Sequence, residues 1–161
     1  MNDPLRGTAS ALRAVAVVAV FATFLAACSG APETGPVEVR WDRDVCAQCT
    51  MAISDRNYAA QVRGAPAGEP TRVDAFDDLG CAVLWLDAQA WKSDPRTEVW
   101  VTDHRTGEWI DARIAGYVDE RVSPMDFGLG AVKDPAQGSF GWDEAAERIR
   151  DKQSARTGIP R

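Results

Sequence analysis

One histidine, His104, stands in the whole 161-residue chain. A zinc clamp of four cysteine and histidine ligands therefore has only a cramped set to draw on. Lysine and arginine occur singly and form no stripe, which excludes the basic footprint of a nucleic-acid binder. The longest apolar run falls short of the roughly 20 residues that a spanning helix needs. Methionine is scarce at three residues and cysteine at four. No internal repeat stands out. What is present is ordinary globular material, 45% hydrophobic and 26% charged, with a net charge of −6 and a pI near 4.8. That composition and length bound the answer to one domain with one modest core.

The N-terminal segment stands apart from that domain. Arg6 and Arg13 are followed by an apolar or small-residue run from Ala14 to Cys28, interrupted only by Thr23. Its length and flanks are those of a secretory signal peptide. It ends in Leu25-Ala26-Ala27-Cys28, which resembles a bacterial lipobox. The resemblance implies cleavage after residue 27 and lipidation of Cys28, an anchor that holds once two or more acyl chains are attached. Ser29 and Gly30, not aspartate, follow the cysteine, which by analogy disfavours retention in an inner membrane. Loss of Arg6, Arg13 and Asp3 with the leader takes the net charge from −6 to −7. With Cys28 acylated, Cys46, Cys49 and Cys81 remain. An odd number of thiols excludes a fully paired disulfide framework, and the leftover thiol needs a reason to persist outside the cytoplasm.

Residues 28–36, rich in proline and glycine, read as the lipidated tether. A domain is expected over residues 37–152, with a flexible tail over 153–161. Within it, Val37–Trp41 alternates as a strand does. Tyr58–Gly64 and Thr71–Phe76 are further strands around a turn. Asp77 or Asp78 caps a helix that spaces Leu79, Ala82, Val83, Leu86 and Ala90 on one face. Thr97–Asp103 is a strand, His104–Glu108 a turn, Trp109–Val118 further strand material, and Leu129–Lys133 another strand. Trp142–Lys152 is a final helix with acids at its start and bases at its end. Most of the tryptophans are expected in the core. The order of strands and helices predicts a small α+β fold with antiparallel sheet and two main helices.

The chemistry concentrates in "RDVCAQCTMAIS", Arg43 to Ser54, with Cys46 and Cys49 two residues apart and Met51 close behind. A thioredoxin-type pair needs a helix after its first cysteine to stabilise the thiolate. The residues that follow here carry no amphipathic stripe. Thioether is a poor ligand for zinc and a good one for Cu(I), so Met51 turns the balance toward copper. Met125, in "VSPMDFG", is the other methionine left after loss of the leader, and both lie in loops. A short structural disulfide is the alternative for the cysteine pair, and gap filling the alternative for the methionines. Cys81, on the first helix, reads as a core side chain with a ligand role as the alternative. His104 reads as an exposed turn histidine, again with copper ligation as the alternative. Asp74, Asp77 and Asp78 are read as capping groups rather than a hard-metal site.

"CAQCTMAISDRNYAAQV", "VDAFDDLGCAVLWL", "WVTDHRTGEWIDARIAGYV" and "SPMDFGLGAVKD", in this order, resemble the NosL family of nitrous oxide reductase accessory lipoproteins. The resemblance runs from about Val45 to Ile149. It implies an organomercurial-lyase-like fold and a lipoprotein on the periplasmic side of the membrane. Such a protein binds one Cu(I) and passes it to a maturing copper enzyme of denitrification, nitrous oxide reductase or its assembly machinery. The family segment reads Cys-x-x-Cys-Gly-Met. Cys46, Cys49 and Met51 fall on it, with Thr50 in place of the glycine, and Met125 falls on the family's Pro-Met. The family's C-terminal glycine pair is absent from "DKQSARTGIPR", which leaves another copper protein open as the acceptor. The protein is expected to be a carrier rather than an enzyme. The rivals are a membrane-tethered thiol-disulfide oxidoreductase using Cys46 and Cys49, a disulfide-bonded binding module, and, by fold analogy alone, carbon–mercury cleavage.

Overall fold

A computed structural model describes residues 32–119 and 121–158. The expected leader and the lipidation position Cys28 lie outside the described residues. Among those described, no helix is long and apolar enough to cross a membrane. The described residues from Glu33 to Gly158 fold as the small α+β unit that the sequence predicts.

Its main sheet has the order β2-β1-β3-β4 and is antiparallel throughout. The strands are β1 (Ala60–Gly64), β2 (Arg72–Phe76), β3 (Glu98–Thr102) and β4 (Trp109–Asp111). Central β1 aligns Val62 with Asp74 of β2 and with Val99 of β3. A second antiparallel pair joins β5 (Gly116–Val118) to β6 (Gly130–Val132). Helix α1 (Leu79–Asp87) packs on β1 and β2, and helix α2 (Trp142–Thr157) packs on α1. The core between them holds Val62, Phe76, Leu79, Val83, Val99 and Ile149, among others. Arg150 of α2 grips Asp87 at the end of α1 through two bonds of 2.7 and 3.1 Å.

Helix α1 stops at Asp87, short of the expected Ala90, and the chain continues in turns to Ser93. Helix α2 runs on to Thr157, into the stretch read as tail, where Gly158 closes it with φ 67°. Trp41, Trp85, Trp91, Trp109 and Trp142 are half-buried and pack against the core from outside rather than forming it.

One strand expectation is corrected. Val37–Trp41 forms no strand. The buried amide of Gln61 takes the place of a neighbouring strand's backbone, accepting from the Val37 N–H and donating to the Val37 carbonyl, both at 2.8 Å. Beside it, buried Arg63 donates to the Gly35 carbonyl at 2.8 Å, and Glu98 accepts from the Gly35 N–H at 2.7 Å. The last residues of the expected tether are thus fastened to β1 and β3. This explains two polar side chains buried on a central strand: each satisfies backbone groups that water would otherwise hold.

Candidate metal centre

The cysteine segment is a tight loop closed by one bridge, Val45 to Ala52. The Cys46 N–H donates to the Met51 carbonyl at 2.8 Å, and the Thr50 N–H donates to the Cys46 carbonyl at 3.0 Å. To close in this way the chain turns left-handed at Thr50, with φ 63°. A glycine adopts that conformation freely, whereas a β-branched residue there is strained. The loop is fastened to the sheet by the Ala47 N–H, which donates to the Ala75 carbonyl of β2 at 3.0 Å.

This fastening brings the loop against the junction of β2 and α1. Asp78 is the N-cap of α1, accepting from the Gly80 N–H at 2.8 Å. Asp77, one residue earlier, does no capping. It is buried and accepts from the Cys49 thiol at 3.4 and 3.5 Å. Cys81 is the third residue of α1, so its sulfur lies in the first turn, at the positive end of the helix. The ligand atoms of Cys46, Cys49, Asp77 and Cys81 all lie within 4.8 Å of one another. A metal ion bonded to sulfur at about 2.3 Å spans two sulfurs at most about 4.6 Å apart. The donor set therefore fits around a single ion after shifts of tenths of an ångström. All three thiols are free. Cys46 and Cys81 are buried, while Cys49 is half-exposed, so the cluster opens to solvent on the Cys49 side. The arrangement can bind a metal.

The sulfurs are not equivalent in charge. A hydrogen bond from the Cys81 thiol brings Cys46 down to about 6, from an ordinary 9.0. Burial opposes this and loses. Cys81 is pushed far up, first because its proton is the one shared with Cys46 and then by burial. Burial, with Cys46 beside it, pushes Cys49 up to about 11. One thiolate therefore stands ready at neutral pH, flanked by two protonated thiols.

The remaining expected ligands are placed differently. Met51 is 51% exposed, and it is the backbone of Met51 that closes the loop. Met125 is half-buried against the core, and its N–H donates to Asp78 at 3.1 Å, so its loop abuts the same junction. His104 stands in the turn after β3, its ring pressed against Gly130 of β6, and it is not a member of the cluster. Burial lowers the His104 pKa, with Arg121 adding to the effect. One member of the cluster, Asp77, escapes the sequence reading, because it carries the same signal as its capping neighbour. Cys81 takes the place that the sequence reading gave it only as an alternative to core packing. Neither the C-x-x-C pair nor the residues after it form a helix. Comparison of the chain with protein-family models and with curated proteins gives no match.

Proposed function

We propose that the protein is a membrane-anchored, extracytoplasmic carrier of Cu(I), delivering the ion to a copper enzyme, as its resemblance to NosL-type accessory lipoproteins implies. The observation that carries this reading is the convergence of three free thiols within reach of one ion, with one of them open to solvent. Copper here is cargo. Thiolates supply affinity for a soft monovalent ion, and a site reachable through Cys49 lets an acceptor's thiolates replace the sulfurs one at a time. Asp77 holds the Cys49 thiol in place until the metal arrives. The protein is read as a carrier, not an enzyme, with the ligands positioned by α1 and the loop.

The test is anaerobic Cu(I) titration against a competing chelator. Wild type is expected to bind one equivalent, Cys46→Ser and Cys81→Ser to lose most of the affinity, and His104→Ala to lose none. A reduced protein that takes up no Cu(I) sinks the proposal. The thiol-disulfide oxidoreductase reading draws on the lowered Cys46 pKa. It requires turnover of a disulfide substrate through Cys46 and Cys49 that survives Met51→Leu, and the copper reading requires none. A Zn(II) titration run alongside tests whether the carboxylate of Asp77 recruits the harder ion.

A further inference from the structure

Two neighbouring acids at the start of α1 face different loops. Asp77 takes the thiol of Cys49. Asp78 Oδ2 takes the Ser123 hydroxyl at 2.6 Å and the Met125 N–H at 3.1 Å, while its other oxygen caps α1. Ser123 is buried, and its oxygen in turn accepts from the Gly128 N–H at 3.1 Å, which closes the segment 123–128 into a compact loop. Phe127 of that loop lies directly over Gly80, so close that a Cβ on Gly80 would fall 2.0 Å from the ring. From the outer side, Arg156 of α2 donates to the Met125 carbonyl at 3.0 Å and to the Asp126 carbonyl at 2.7 Å. Its guanidinium also stacks on Phe127, 4.7 Å from the ring centre. The methionine loop is thus clamped from both sides, and its inner clamp is the residue next to the one that holds Cys49.

We infer that Asp78 and Ser123 are positioning residues for the metal site, holding the Met125 loop against the thiol cluster so that the Met125 sulfur completes the coordination of the bound ion. The inference rests on the Cu(I) reading and deepens it. A neutral thioether binds weakly, and a free loop would lose entropy on bringing it to the metal. A loop already held in place avoids that cost. Loss of such supporting contacts lowers metal affinity by about tenfold to a hundredfold. The clamp also places the two loops on consecutive residues, so the ligands from both are set by the start of one helix.

The experiment uses the full chain labelled with selenomethionine in a Met51→Leu background, loaded with Cu(I) without oxygen. X-ray absorption at the copper edge reads copper–selenium scattering, and a competing chelator reads the release rate. The reference protein is expected to show a copper–selenium path. Ser123→Ala is expected to lose that path and to release copper about tenfold faster, whereas Ser123→Thr, which keeps the hydroxyl, retains both. In a Met125→Leu background Ser123→Ala should no longer change the release rate, a result that a general loosening of the fold would not give. Ser123→Ala with unchanged scattering and release overturns the inference. So does a reference protein that binds Cu(I) through sulfur with no selenium neighbour, which leaves the thiol site standing. A reference protein that takes up no Cu(I) overturns the carrier reading along with it.

Discussion

Thr50 is a residue at odds with its own backbone. Its φ of 63° lies where a non-glycine residue costs roughly 1–2 kcal/mol. The hydroxyl donates to the Cys49 carbonyl at 2.6 Å, but on an exposed loop that bond offsets little. Thr50→Gly removes the strain and returns part of the gain as unfolded-chain entropy, roughly 0.5–1 kcal/mol. The expected net is a stabilisation of about 0.5 kcal/mol, read as a higher urea midpoint at an unchanged slope. A lower midpoint would show that the hydroxyl bond outweighs the strain. At Cys46 the expected signature is titration of one thiolate near pH 6, followed by ultraviolet absorbance. Cys81→Ser leaves a weaker acid as hydrogen-bond donor, and the midpoint should move up toward the ordinary 9.0. Only the thiolate binds metal, so copper affinity should fall with a steeper slope once the pH drops below about 6. Cys46 and Cys49 announce themselves by spacing. Cys81 does not, because a small apolar side chain after a glycine on a helix face reads the same whether it packs or ligates. Only the approach of the loop, fastened through Ala47 to Ala75, gives it partners.

The elements were legible in proportion to how local their causes are. β1, β2, β3 and both helices follow from alternation, capping acids and helical spacing inside single segments. Val37–Trp41 alternates just as well and still makes no strand, because the partner it meets is a side chain, Gln61, and not another backbone. The contact of α1 with the Met125 loop is equally invisible locally, since Gly80 in a helix looks like a weak point. By propensity alone Gly80→Ala gains roughly 1 kcal/mol. Here the added Cβ meets the Phe127 ring 2.0 Å away, and overpacking of that kind costs roughly 1–3 kcal/mol. The overlap should win, with a lower melting temperature and Phe127 displaced. Adding Phe127→Leu should recover part of the loss through a smaller side chain at the clash. A Gly80→Ala protein more stable than wild type would show the loop yielding freely.

On the scale of the whole molecule the α+β class was readable, whereas the joints between its parts were not. One joint is Asp103, at the end of β3, which accepts from the Lys133 N–H after β6 at 2.8 Å and so ties the two sheets. Burial raises its pKa, but bonds from the Arg105 guanidinium, the Arg105 N–H and the Lys133 N–H prevail and hold it below the ordinary 3.8. A carboxyl more acidic when folded contributes stability in full above its unfolded value, and loses it as the pH falls through the lower folded value. Denaturant midpoints of wild type should therefore drop more steeply below pH 3.8 than those of Asp103→Asn. Equal slopes would place the acid sensitivity elsewhere.

The metal cluster is the second joint, and it links the 46–49 loop, the end of β2 and the start of α1. An ion bound by all three holds only in the folded chain, so loading must raise stability by mass action, by about 4 kcal/mol at a thousandfold excess over the dissociation constant. Loading at neutral pH should also release one proton from Cys49 and one from Cys81, because both are held protonated in the free protein. Calorimetry in buffers of different ionisation enthalpy counts those protons, and thermal melts with and without Cu(I) read the stabilisation. Cys81→Ser should still release two protons, one from Cys49 and one from Cys46, whose thiol no longer has its acid partner, and should lose most of the thermal shift. If Cys81→Ser keeps the full shift while Cys49→Ser abolishes it, the ion sits on the loop alone, and the helix has no part in holding it.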